Sequence, residues 1–265
     1  VLAGILAVTG GAGCLLIVKN YTGDRLNFGL AAERARAFGL DVSMVVVDDD
    51  VALPGLPQAR GVAGTLFVHK IAGALAEEGA DLDTVTKAAK QVIDGVISLG
   101  ITLDTCTVPG SPKENRIADG KAELGLGIHG EAGVEQVDFQ GARQAMEMIV
   151  DRLARNIEAG PHVALLNNLG SATALEMSVL AEELVRSRIG GQISHMVGPA
   201  TMMTSLDMHG FSVSLLPLAG QALAGLQADA APWAWPGCHP VSEVNVLPLP
   251  DGLTPIQPMP SKNKH

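Results

Sequence analysis

Aromatic side chains are scarce in this 265-residue chain: Phe, Trp and Tyr together make up 3%, with a single tyrosine and two tryptophans. Its core must therefore come from Leu, Val, Ile, Ala and Met. Positive charge is also in short supply. Lys and Arg number 18 against 28 Asp and Glu, a net charge of −10, which argues against DNA or RNA as the main partner because phosphate backbones call for clustered cations. A single local cation can still serve a small substrate. The three cysteines, Cys14, Cys106 and Cys238, are odd in number and too far apart for a disulfide framework or a metal-ligand spacing. They suit a reducing cytoplasm. The apolar opening run 1–8 is too short to span a bilayer and follows no basic segment, so no membrane role is expected.

What is present points to a folded protein. Hydrophobic residues at 47% and charged residues at 17% exclude disorder as a global description. The length suits one large domain or two moderate ones, and the 31 glycines suit many tight turns. The chain opens on Val1 rather than Met and runs straight into apolar residues. Either a methionine is removed there, or an upstream piece of the domain is missing.

A continuous apolar run over 14–18, entered through Gly10-Gly11-Ala12-Gly13, reads as a strand buried on both faces. Helical spacing from Leu26 to Ala35 stops at Gly39, and a second strand covers 42–47 before Asp48-Asp49-Asp50. Strand, helix, strand in that order is a βαβ unit. A proline loop, Leu53-Pro54-Gly55-Leu56-Pro57, leads to a helix-like stretch over 61–76. A further helix is expected from about Leu82 to about Leu99, with Asp81 or Asp83 as its N-cap. A strand over 101–108 follows, and a domain boundary is expected near Gly100.

The second half continues the alternation. A strand over 123–130 ends in a glycine turn, a helix covers about 140–159, and a strand covers 162–166. The loop 167–171 leads to a helix over about 173–187, then strands near 193–197 and over 211–216. Residues 246–265, with five prolines, read as a solvated tail or linker. The predicted fold class is α/β: two α/β domains with mostly parallel or mixed sheets, residues 1–100 belonging to the first and 101–245 to the second.

Two places could carry chemistry. Lys19-Asn20-Tyr21-Thr22-Gly23-Asp24 directly follows the first strand, and open α/β sheets bind ligands at strand carboxyl ends. Lys19 could donate to a hydroxyl or phosphoryl oxygen, and Asp24 could act as a general base. Alternatively, Asp24 caps the next helix and Lys19 is solvated. The second place is His129, in Gly127-Ile128-His129-Gly130-Glu131. Glycines leave little bulk to screen an imidazole from a ligand, although a histidine satisfied within a turn fits the same pattern. His69 and Lys70 fall in a helical stretch and read as structural. Consecutive carboxylates at 48–50 cannot all face one ion, so a solvated or capping cluster is expected instead of a metal site. The glycines at 10–13 precede their strand rather than following it, so they form no dinucleotide or Walker loop.

Together the strings are far more specific than any one of them. They are Leu15-Leu16-Ile17-Val18-Lys19-Asn20-Tyr21-Thr22-Gly23-Asp24, Val46-Val47-Asp48-Asp49-Asp50-Val51-Ala52, Arg60-Gly61-Val62-Ala63-Gly64-Thr65 and Cys106-Thr107-Val108-Pro109-Gly110. Gly125-Leu126-Gly127-Ile128-His129-Gly130-Glu131, Leu166-Asn167-Asn168-Leu169-Gly170 and Thr204-Ser205-Leu206-Asp207-Met208 follow. In this order they resemble the dihydroxyacetone kinase K subunit, from about residue 14 to residue 211.

The resemblance implies a two-domain α/β subunit, usually a homodimer, whose histidine at the position of His129 forms a covalent hemiaminal with a ketone. It implies Lys19 and Asp24 as partners of the substrate hydroxyls, with Asp24 helping to deprotonate the terminal one. The substrate would be a short ketose, dihydroxyacetone or a tetrulose. No cofactor is expected on this chain, because ATP or ADP with Mg²⁺ sits on a partner L domain or subunit in this family. A phosphotransferase-system protein is the other possible donor. The family's Glu-Pro-Gly reads Glu131-Ala132-Gly133 here. A glycine-rich family segment that carries a second catalytic histidine has no match, so the first domain is expected to be incomplete at its N-terminus, with a sheet edge exposed. The competing expectation is a non-catalytic ketone-binding paralogue that acts as a sensor or co-activator of a transcription regulator. His129 suits both readings. The proline-rich tail favours the kinase, whose K and L domains are joined by a linker.

Overall fold

Strands β1 (Cys14–Lys19) and β2 (Val42–Val47) lie parallel and in register, with Cys14 opposite Val42 and Lys19 opposite Val47. The computed structural model describes residues 1–52, 59–125, 127 and 131–242. Side chains alternate across a strand, so β1 packs two ways. Leu16 and Val18 meet Ala31, Ala32 and Ala35 of helix α2 (Thr22–Ala37), together with Ile5 of α1 (Leu2–Val8). Leu15 and Ile17 face the opposite layer. α2 stops at Ala37, and Gly39 closes it as the sequence predicts. Gly39 sits at φ +83°, the Leu40 N–H donates to Ala35 and the Gly39 N–H to Arg36, a Schellman closure.

That opposite layer is α3 (Thr65–Glu77) and α4 (Leu82–Gly95), the latter capped by the Asp81 carboxylate on the Thr84 N–H at 2.7 Å. These helices lie between two sheets. On one side they meet Val45 and Val47. On the other they meet Val163, Leu165, Val197 and Leu216. Burial from both sides explains why α3 is apolar around most of its circumference, with Phe67, Val68 and Ile71 all enclosed.

The second sheet contains β3 (Ile97–Thr102), β4 (Lys121–Leu124), β5 (Glu135–Asp138), β6 (His162–Asn168), β7 (Ile193–Ala200), β8 (Gly210–Pro217) and β9 (Cys238–Pro240). Its order is β5-β4-β3-β8-β6-β7-β9. Only β6 and β7 run parallel, since β8 inserts antiparallel between β3 and β6. The far face carries α5 (Ala142–Leu153) and α6 (Ala174–Arg186), where Met146, Ile149, Leu153, Leu180 and Leu184 pack on Leu99, Leu166 and Leu215. α7 (Ala222–Gln227) joins the α3 side through Leu226. The fold is mixed α/β with parallel and antiparallel sheets, as the sequence predicts.

Several expectations shift. The helix expected to reach Leu99 stops at Gly95, and the strand expected over 101–108 is β3, ending at Thr102. Gly100, near which a domain boundary is expected, belongs to β3, the first strand in sequence of the second sheet. β5, α7 and β9 had no sequence signal, being short or exposed. The strand expected over 123–130 is only β4, which ends at Leu124. The proline loop at 53–57 and the tail at 246–265 fall outside the described residues. Among those residues no helix is long and apolar enough to cross a membrane.

Phe67, fully enclosed between the two sheets, gives the first prediction. Phe67→Ala should destabilise the fold by about 3–5 kcal/mol in chemical denaturation, and a loss below about 1 kcal/mol would refute the shared-core account.

Candidate functional site

β1 delivers Lys19 to the carboxyl end of the two-stranded sheet. The chain then turns sharply, with the Tyr21 N–H donating to the Lys19 carbonyl at 2.8 Å and the Asn20 N–H to the Val47 carbonyl at 2.9 Å. α2 begins at once. Tyr21 is its N-cap without a side-chain cap bond, and Asp24 lies in its first turn, where the helix dipole favours a negative group. Burial holds the Lys19 ammonium below the usual lysine range, against the pull of the Asp24, Glu131 and Asp49 carboxylates, in that order. An ammonium stripped of part of its water gains from a ligand oxygen that restores its hydrogen bonds. Lys19 and Asp24, the two residues singled out in this stretch, thus lie within electrostatic reach of each other.

The three carboxylates after β2 separate. Asp48 is exposed, but Asp49 and Asp50 are only 2% and 6% exposed, which corrects the expectation of a solvated cluster. Asp49 accepts from the Val62 and Gly64 N–H groups, each at 2.7 Å. Asp50 accepts from the Ala52 N–H at 2.9 Å and from Arg60, Nε to Oδ2, at 2.7 Å. Capping was the right half of the expectation. Two buried carboxylates need such partners, because an uncompensated buried charge is very costly. Burial pushes the Asp49 carboxyl up to about 6, moderated by hydrogen bonds from Ser98, Val62 and Gly64. It raises Asp50 too, against the opposing charge of Arg60.

Arg60 extends this cluster to the loop after β4. Its Nη2 donates to the Gly125 carbonyl at 2.5 Å. Gly125 has φ +68°, and a Cβ there would collide with Ala52, so the position requires glycine. The far end of the loop is held by Glu123, which accepts from the Gly133 N–H and pairs with Arg116 at 3.2 Å. Between these anchors the Gly127 N–H donates to the Glu131 carbonyl at 3.1 Å. His129 lies outside the described residues. Glu131, two positions along the chain, is close enough to act on Lys19.

Sequence reasoning missed three members of this neighbourhood. Glu131 and Asp49 join Lys19 only through the fold. His69, expected to be structural, is an exposed residue whose imidazole is held below the usual histidine range by desolvation among its neighbours and then by the Lys19 charge. Its neighbour Lys70 is structural: it is buried and donates to the Gly225 and Ala228 carbonyls at 2.9 and 2.7 Å. Lys70 also lies 5.7 Å from the Trp235 ring centre. Two hollows of about 330 and 660 Å³ lie elsewhere. The smaller is lined almost wholly by hydrocarbon, including Leu103, Phe139, Val179 and Phe211. Neither includes Lys19, and it is the convergence of polar groups at the β1 end that marks the site.

Comparison with known proteins gives a consistent picture. The family model described as the Dak1 domain matches residues 1–234. The dihydroxyacetone kinase of Citrobacter freundii is 42% identical over 268 residues, which cover 99% of this chain and 48% of that protein. Its crystal structure superimposes with a TM-score of 0.89, covering 99% of this chain and 49% of that one. The chain therefore spans about half the length of that relative. The dihydroxyacetone-binding subunit DhaK of the PTS-dependent dihydroxyacetone kinase 1 of Listeria innocua is 38% identical over 244 residues, 87% of this chain and 73% of that protein. The dihydroxyacetone kinase operon co-activator Dha-DhaQ is 30% identical, with a TM-score of 0.82 over 90% of this chain and 76% of that one.

The Asp49 environment yields a pH prediction. An acid whose native pKa lies above its unfolded value binds its proton more tightly when folded. Its contribution to stability is therefore greatest below about pH 4, declines as pH rises to about 6, and then levels. The rise from 3.8 to about 6 corresponds to about 3 kcal/mol. Denaturation of the protein and of Asp49→Asn across pH 4 to 8 should show their stability difference drifting in that window. A constant difference would contradict the assignment.

Proposed function

Because the chain belongs to the Dak1 domain family, we propose that it is the ketose-holding part of a dihydroxyacetone-type kinase. The observation that carries this reading is the meeting of Lys19 with Asp24 and Glu131 at the end of β1. Glu131 stands two positions after His129 in the sequence and acts on Lys19, and this supports a ketone site that combines the two predicted motifs. The kinase name of the Citrobacter relative and the dihydroxyacetone-binding subunit name of the Listeria relative support it as well.

The chemistry follows from the residue types. A neutral His129 imidazole nitrogen adds to the ketone carbon, forming the C–N bond as the carbonyl π bond breaks. The new alkoxide takes up a proton and the imidazolium loses one, leaving a neutral hemiaminal. This selects carbonyl compounds over polyols. Lys19 donates to a substrate hydroxyl, and Asp24 accepts the proton of the terminal hydroxyl as it attacks the incoming phosphoryl group. Positioning and charge stabilisation supply most of the rate in such transfers. The phosphoryl group comes from ATP with Mg²⁺ on an L domain or subunit, or from a phosphotransferase-system protein. The K portion acts as a homodimer in the cytoplasm.

A second reading, a ketone-binding co-activator without turnover, draws on the likeness to Dha-DhaQ over 90% of the chain. Two measurements test these readings. With dihydroxyacetone labelled by ¹³C at its carbonyl carbon, NMR should show the signal moving to the range of a carbon bonded to both oxygen and nitrogen. His129→Ala should abolish that signal, and its persistence there would refute the hemiaminal. Lys19→Met should weaken adduct formation about 10–100-fold, the worth of a hydrogen bond from a charged donor. Mixing the full-length protein with an L subunit and a phosphoryl donor should yield ketose phosphate. Adduct formation without turnover in that mixture would replace the kinase with the co-activator.

A further inference from the structure

The turn over residues 59–64 is held between two parts of the molecule. On one side the Asn20 side-chain amide donates to the Ala59 carbonyl at 2.7 Å. Gly61 packs so tightly there that a Cβ would lie 2.8 Å from Lys19 Cα and 2.9 Å from the Asn20 nitrogen. On the other side, the Asp49 carboxylate accepts the Val62 and Gly64 N–H groups, one on each oxygen. The Asp50 N–H holds the Arg60 carbonyl at 3.0 Å. Behind Asp49 the Ser98 hydroxyl reaches the same carboxyl and stands 2.6 Å from the Ser214 hydroxyl of β8. The Ser98 N–H also donates to the Asp49 carbonyl at 2.6 Å.

We propose that Asp49 is a positioning residue for Lys19: its carboxylate clamps the 59–64 turn, and the turn in turn fixes the backbone of Lys19 and Asn20. This rests on the reading of Lys19 as a ketose-binding group. Only a carboxylate offers two equivalent oxygens to two N–H donors, and an Asn side chain has one. A purely structural cap could be neutral, whereas this acid is kept where burial disfavours its charge. The clamp therefore loosens as Asp49 takes up a proton. The charged and titratable groups around it are Lys19 at the end of β1, the Asp50–Arg60 pair, and His69 on α3 beyond Lys19. Asp24 and Glu131 face Lys19 itself, and Ser98 and Ser214 contribute no charge.

The test is amide hydrogen exchange on the full chain, with ketose binding measured alongside. The informative amide is Asn20, whose N–H is bonded to Val47 and not to Asp49. Asp49→Asn should reduce protection at Asn20 about fivefold or more and weaken ketose adduct formation about tenfold, while Val213 in β8 keeps its protection. In the unsubstituted protein, Asn20 protection should fall as pH drops through about 6, a trend the variant lacks. Exchange carries the pH readout because the adduct itself requires a neutral His129. Faster exchange at Val62 and Gly64, with Asn20 and ketose binding unchanged, would reduce Asp49 to a local cap and overturn the proposal. If the unsubstituted protein forms no adduct, the ketose reading fails, and Asn20 exchange alone decides the clamp. If Asp49→Asn does not fold, the pH series on the unsubstituted protein decides it, and pH-independent protection overturns it.

Discussion

Two neighbouring carboxylates at the end of β2 tie the candidate site together. They emerge from adjacent positions and so serve different partners. Asp49 turns to the amides ahead of α3, while Asp50 turns to Arg60 and, through it, to the Gly125 carbonyl. Both are nearly enclosed, so each bond also offsets a desolvation penalty. The 59–64 turn already touches Lys19 and Asn20 directly, and the two carboxylates fix it to the end of β2 and, through Arg60, to Gly125 after β4. Together these pieces form one polar assembly between two apolar cores.

The elements with strong periodicity were legible in the sequence. The apolar runs of β1 and β2 flank a helix whose Ala31, Ala32 and Ala35 face them, and Gly39 closes that helix as expected. The α4–β3 junction was not legible, because apolar residues continue from Val92 through Val96 to Ile101 across both elements. The change from helix to strand there follows pairing of β3 with β8, whose residues lie more than a hundred positions away. β5 escaped notice because Glu135, Gln136 and Asp138 are exposed on an edge.

The site divides in the same way. Lys19 and Asp24 could be paired on paper because one strand end and one helix start contain both. Asp49 looked solvated because the amides that satisfy it come from residues 62 and 64, on the far side of a proline loop. His69 looked structural because its helix is mostly buried, yet its own position is exposed and near Lys19. Local pattern reports which face a residue prefers. It cannot report which distant group will meet it.

The helical layer of α3 and α4 belongs to neither sheet alone, since Phe67 and its neighbours fill space against both. Drift in the sequence is constrained accordingly. A volume change in β2 is transmitted through these helices to β6 and β8, whose residues must then accommodate it. The two sheets are therefore expected to diverge in concert, as a single evolutionary unit. Recombination that exchanged one of them intact would leave the shared helices fitted to a partner no longer present.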